Sequence, residues 1–138
     1  LLAIGEIDCR LDSGIIKHKL KAPQKEISEI IATTVENYLT YVEKNNYRCQ
    51  HKIVIQGIPC PNIDKENYSV DQVVQLIHVI KEFNIELKSR SAQRGYYFLD
   101  VYRLTDRGDG FSNAMWHIDE YHLTPEGMLV AWKEYFVK

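Results

Sequence analysis

Short apolar runs recur at wide intervals along the chain and predict three buried strands. The first run covers Leu1–Ile4 and ends at Gly5, and the second lies within His51–Pro59. The third covers Tyr96–Tyr102, where aromatic and β-branched residues are concentrated. Long segments separate these runs, so the strands are not predicted to be joined as hairpins.

Apolar residues between the predicted strands repeat at the spacing of one helix face. The first repeat runs over Ile27–Val42, in a segment that opens at Pro23 and ends near Asn45. The second runs over Val70–Phe83 and follows an S-x-x-Q capping box that begins at Ser69. Two amphipathic helices are therefore predicted.

Strands that alternate with helices predict an α/β fold, in which right-handed crossovers produce a mostly parallel sheet covered on both faces. We expect one domain over residues 1–138. Ligands bind beyond the carboxyl ends of the strands in such sheets. Three loops follow strands and should meet at this rim: Gly5–Arg10, Gly57–Asp64 and Thr105–His122.

Charged residues follow the first predicted strand at every second position. In an extended backbone Glu6, Asp8 and Arg10 would share one face, and apolar residues would occupy the other. We expect this face, together with Gly5, to line the rim, where it would contact substrate or stabilise an oxyanion. An ion pair between Asp8 and Arg10 that only stiffens the loop is an equally good interpretation.

The segment before the last predicted helix carries an Asp and a His three residues apart. Asp119 and His122 directly precede a helix start, with Thr124 as N-cap, Pro125 in the first turn and an expected end near Val137. A carboxylate beside an imidazole fixes the imidazole tautomer and raises its basicity. This pair is the candidate catalytic site.

This arrangement resembles the SGNH (GDSL-type) hydrolase family. Asp119–Leu123, followed by Gly127 and a terminal helix, is similar to the family's D-x-x-H block. The predicted strand Lys52–Gln56 and its Gly57–Pro59 loop resemble the family's fourth strand and the loop after it. Gly5–Asp8 falls at the position of the family's G-x-N-D block.

The resemblance implies a three-layer α/β/α fold with a flavodoxin-like sheet, whose first two strands would precede Leu1. It also implies hydrolysis of a small or carbohydrate O-acyl ester without a cofactor, with His122 as base, Asp119 as its orienting partner and a nucleophilic serine upstream. Two features depart from the family pattern. No G-D-S block is present, and Ile7 occupies the position of the oxyanion-binding Asn, for which Arg10 is a candidate replacement.

Two other functions remain open at this level. The domain could bind a ligand or a protein partner without catalysis, which the absent serine block and the Ile7 position favour. Alternatively, His117, Asp119 and His122 could form a divalent-metal site for a phosphoesterase, since imidazole and carboxylate ligands suit zinc or manganese.

Composition restricts the partners and the compartment. The net charge of −2 gives no electrostatic basis for binding nucleic acid or an anionic membrane. Cys9, Cys49 and Cys60 match no zinc spacing, and an odd number favours reduced, buried thiols in a reducing, cytoplasmic compartment. An exposed sheet edge in a domain of this kind would favour a homodimer.

Overall fold

Three short parallel strands form the sheet of this computed structural model, which describes residues 1–137. The strands are β1 (Leu2–Ala3), β2 (Val54–Gln56) and β3 (Tyr97–Leu99), in the spatial order β1-β2-β3. Ile55 in the central strand pairs with Leu2 on one side and with Phe98 on the other. The predicted mixture of helices with a parallel sheet is confirmed.

Five α-helices and two short 3-10 turns complete the described chain. The α-helices are α1 (Gly14–Lys21), α2 (Ile27–Asn46), α3 (Val70–Gln93), α4 (Val101–Thr105) and α5 (Pro125–Phe136), and the 3-10 turns cover Ile7–Cys9 and Lys65–Asn67.

Neighbouring residues of β2 face two separate hydrophobic clusters. Ile55 belongs to the larger cluster, which contains the buried faces of α1, α2 and α3. Val54 belongs to a smaller cluster with Leu99, Val101 and Ala131 of α5. Because successive side chains of a strand point to opposite faces, helices pack on both sides of the central strand.

Local capping signals predict the starts of α3 and α5 accurately. The Ser69 side chain accepts from the Gln72 backbone N–H at 3.2 Å, and Ser69 N–H donates to the Gln72 side chain at 2.9 Å, as a capping box requires. Thr124 caps α5 as predicted, with Pro125 at the first helical position. The start of α2 lies at Ile27 rather than near Pro23, because the helix begins after a capping box at its N-cap Glu26.

The prediction of a buried first strand is wrong. Leu1 and Leu2 are 60% and 37% exposed, since β1 lies at the edge of the sheet and contacts only β2 among the described strands. An apolar strand pattern specifies a buried strand only when neighbours cover both sides.

The segment after β1 is not extended. A 3-10 turn covers Ile7–Cys9, and the unpredicted helix α1 follows at Gly14–Lys21. The turn removes the alternation that would have placed Glu6, Asp8 and Arg10 on one face. It also buries Cys9 at 1% exposure.

The third strand is shorter than the aromatic run predicts. The strand ends at Leu99, where Asp100 caps a short helix by accepting from the Arg103 N–H at 3.1 Å. Side-chain capping offers the backbone an alternative to the sheet ladder, which ends the strand despite the β-forming composition of Tyr96–Tyr102.

Two further features are the hydropathy of the helices and the state of the cysteines. Within residues 1–137, no helix is long and apolar enough to cross a membrane. The three cysteines are free thiols, and Cys60 is buried as expected, whereas Cys49 is exposed.

Gly5 provides a test of how β1 is fixed to the core. Its φ is +94°, and an added Cβ would collide with the ring of Phe83, which is fully buried on α3. Gly95 has a φ of +72°, but its added Cβ would meet nothing within 4 Å. We expect Gly95→Ala to lower the free energy of unfolding by about 1 kcal/mol because of backbone strain. Gly5→Ala should cost about 1–3 kcal/mol more because of overpacking.

The measurement is urea unfolding of both variants, followed by circular dichroism. Equal losses of stability in the two variants would contradict the packing of Gly5 against Phe83.

Candidate functional site

The Asp119–His122 pair lies in a tight loop that is closed by backbone hydrogen bonds. His117 and Leu123 form an antiparallel bridge, and the Ile118 N–H donates to the His122 carbonyl at 2.9 Å. The Thr124 N–H donates to the Trp116 carbonyl at 2.7 Å, directly before α5. Backbone hydrogen bonds therefore fix both ends of the loop independently of the Asp119 and His122 side chains.

Asp119 organises this loop with one carboxylate. Its Oδ1 accepts from the backbone N–H groups of Tyr121 and His122, both at 2.8 Å. Its Oδ2 lies 2.8 Å from His122 Nδ1. The Tyr121 amide and then the His122 side chain favour the charged form and lower the pKa of Asp119 to about 2.

The same contact orients the imidazole of His122. A nitrogen that faces a carboxylate carries the proton, so Nδ1–H donates to Asp119 and Nε2 is the free acceptor of the neutral ring. Both side chains of the pair remain about half exposed, at 55% for His122 and 53% for Asp119. The arrangement supplies an oriented, accessible base.

A second carboxylate lies next to the free nitrogen. Glu6 Oε2 is 3.8 Å from His122 Nε2, close enough for an ion pair when the ring is protonated. Glu6 also accepts two hydrogen bonds from Arg10, at 2.6 Å from Nε and 2.9 Å from Nη2. This contact raises the pKa of Arg10, whose guanidinium lies 4.8 Å from the centre of the Tyr121 ring.

His122 and Glu6 line a cleft of about 320 Å³ at the carboxyl ends of β1 and β2. Parts of three loops form its walls, those around Glu6, Gly57–Pro59 and Tyr121–Leu123. Burial raises the pKa of Tyr121 to about 12, so its phenol stays neutral beside the cleft. The expected meeting of these loops at one rim is present in the structure.

Only part of the predicted rim set reaches His122. Asp8 lies elsewhere, since its carboxylate accepts a hydrogen bond from the Tyr38 hydroxyl at 2.9 Å. Gly5 contributes close packing rather than a side chain. The ion partner of Arg10 is Glu6 and not Asp8, because the 3-10 turn brings residues four apart together.

Two of the five N–H donors of Arg10, at Nε and Nη2, point to Glu6. Ile7 is 63% exposed and offers no side-chain donor. No serine in the described part of the chain hydrogen-bonds to the ring of His122. Ser112 instead lies 2.8 Å from Nδ1 of His117.

The metal arrangement is not formed. His117 bonds to Ser112, and burial lowers its pKa. Across residues 1–137, no group of three His, Cys, Asp or Glu side chains is placed to hold a metal ion. Burial also raises the pKa of the Cys60 thiol to about 12, which makes it a poor nucleophile.

Two neighbouring groups contribute to the site although no motif in the sequence singles out either residue. The Asn62 backbone N–H donates to the Glu120 carbonyl at 2.8 Å, and its side chain donates to the Asp119 carbonyl at 3.3 Å. Gln56 lines the cleft from β2. The Asn62 hydrogen bonds and the cleft wall that includes Gln56 each join segments far apart in sequence, so residue spacing could not have revealed them.

Comparisons of the chain with protein-family models, with curated proteins and with solved structures found no match.

The lowered pKa of Asp119 predicts how the stability of the protein depends on pH in acid. Its folded pKa lies below the value of about 3.9 in unfolded chains, so its stabilising effect is present above pH 4 and is lost as the pH falls through 2. Carboxyl ¹³C NMR should give a midpoint near 2 for Asp119. In His122→Ala the midpoint should rise but stay below 3.9, because the Tyr121 amide still donates.

Asp119→Asn serves as the assignment control, since it removes the resonance. A titration midpoint near pH 4 for Asp119 in the unaltered protein would contradict its hydrogen bonds to the loop backbone and to His122.

Proposed function

We propose that this chain forms the later part of an SGNH-type hydrolase domain that cleaves a small or carbohydrate O-acyl ester. The observation that carries the proposal is the orientation of His122. Asp119 holds its Nδ1, and its Nε2 faces a cleft at the carboxyl ends of parallel strands. General bases of acyl-transfer enzymes need this combination of a fixed tautomer and an accessible nitrogen.

The sheet supports the same proposal. Three parallel strands lie in chain order, and hydrophobic clusters cover both sides of β2. In a three-layer, flavodoxin-like arrangement, the first of two earlier strands would pair with the free side of β1, and the second would pair with the first. Exposed Leu1 and Leu2 would then be covered.

In the proposed mechanism, a serine from residues before Leu1 attacks the ester carbonyl, and its hydroxyl proton passes to Nε2 of His122. Asp119 stays ionised and stabilises the imidazolium. The protonated ring then gives its proton to the leaving alcohol, and the acyl group remains on the serine. Water then gives a proton to His122 and attacks the acyl-enzyme. The imidazolium returns this proton to the leaving serine oxygen, which releases the carboxylic acid and restores the free serine and the neutral ring.

A second candidate function is binding without catalysis. Glu6 favours it, since the free nitrogen of His122 faces a carboxylate that Arg10 holds in place. In a serine hydrolase the carboxylate partner lies at Nδ1, and the nucleophile's hydroxyl group rather than a second carboxylate lies at Nε2. Ile7, at the position where the family has an oxyanion-binding side chain, is a second observation in favour.

A fluorophosphonate probe applied to the natural gene product separates the two functions. Hydrolase chemistry predicts covalent labelling of a serine upstream of Leu1, located by peptide mapping. His122→Ala should lower the labelling rate by about 10²–10⁴-fold, the usual contribution of a general base.

His78→Ala is the matched control. His78 also lies beside a carboxylate, with its Nε2 at 2.9 Å from Glu82, but on the exposed surface of α3. Its labelling rate should equal that of the unaltered protein. Folded protein without any label would exclude the hydrolase proposal and favour the binding domain.

A further inference from the structure

The cleft beside His122 has two chemically different parts. Most of its wall is aliphatic, whereas Glu6, Tyr121 and His122 supply polar groups where the loops meet. The aliphatic lining consists of Ala3, Ile4, Ile58, Pro59, Leu123 and Met128. Small-molecule sites in proteins commonly combine a mostly apolar wall with a few oriented polar groups.

Gln56 is the polar residue on the strand side of this wall. It is the last residue of β2 and pairs in register with Ala3 of β1. Within residues 1–137 its side-chain amide makes no hydrogen bond to the protein, although it is only partly exposed. The amide therefore has both donor and acceptor capacity for a bound group.

We propose that this cleft is an acyl-binding subsite that takes the short, unbranched acyl group of a neutral ester. The acyl chain lies between Ile4 and Met128, and the amide of Gln56 is available to the carbonyl oxygen. This inference rests on the proposed hydrolase function for its biological meaning, but the binding itself requires no catalysis.

Size and charge determine the class of ligand. A volume of about 320 Å³ lies at the lower end of the range for ligand pockets, so a long lipid chain does not fit inside. Ala3 contributes only a methyl group to the β1 side of the cleft. The carboxylate of Glu6 disfavours an anionic ligand, which leaves the ester before hydrolysis as the preferred species over the product acid.

Methyl NMR of methionine tests the subsite directly. Met128 lines the cleft, whereas Met115 lies outside it and is 66% exposed, so the two ¹³C-methyl signals report on the subsite and on general surface effects. Met128→Leu and Met115→Leu assign the signals. The probes are acetamide, propionamide and butyramide, which are neutral acyl compounds that a serine hydrolase does not turn over readily.

We expect a saturable shift of the Met128 signal only, with affinity that rises two- to fourfold for each added methylene. Ala3→Trp should weaken butyramide binding at least tenfold, because the indole fills the cleft from an exposed position. Leu20→Trp adds the same side chain at a site on α1 that is 79% exposed, and should leave the affinity within twofold.

An unchanged Met128 signal overturns the subsite, and so do equal, unsaturated shifts of both methionines. Equal effects of the two Trp substitutions also overturn it. The outcome is separable from that of the fluorophosphonate experiment. A labelled serine without a Met128 shift retains the hydrolase and removes the subsite, whereas a saturable shift without labelling retains the subsite in a binding domain.

Discussion

The carboxylate of Asp119 connects the backbone of the site loop to its chemistry. One oxygen accepts from two consecutive backbone N–H groups, and the other lies beside Nδ1 of His122. Charge-assisted hydrogen bonds of this kind are stronger than neutral ones, and together they leave the imidazole few alternative orientations. The loop is also bridged between His117 and Leu123 and is followed by a capped helix, so backbone hydrogen bonds support the His122 imidazole on both sides.

The ion pair between Glu6 and Arg10 lies next to Nε2 of His122, the ring nitrogen that Asp119 does not contact. Its side chains are 21% and 29% exposed, so the pair is neither fully solvated nor fully buried. Partly exposed ion pairs typically contribute about 1 kcal/mol or less, and a ligand could displace Glu6 at a correspondingly small cost. The pair thus holds one carboxylate oxygen of Glu6 beside Nε2 of His122.

Sequence patterns predicted the features that depend on local chemistry. The starts of α3 and α5 follow from Ser69 and Thr124, whose side chains bond within three residues. The Asp119–His122 contact is equally local. The exposure of β1 depends on its neighbours in the sheet, which no pattern within Leu1–Ile4 encodes. The turn at Ile7–Cys9 had an alternation typical of a strand, and its actual form is fixed by distant contacts such as that of Asp8 with Tyr38.

The distance between Glu6 and His122 determines how both candidate functions use the same residues. At 3.8 Å, Glu6 Oε2 lies within ion-pair range of Nε2 but beyond hydrogen-bond length. The neutral ring therefore keeps its Nε2 lone pair available to an incoming hydroxyl. Protonation, by contrast, places the imidazolium between two carboxylates. The group that approaches Nε2 therefore decides between the two candidate functions. In a hydrolase it is the hydroxyl of the attacking serine, whereas in a binding domain it is a polar group of the ligand.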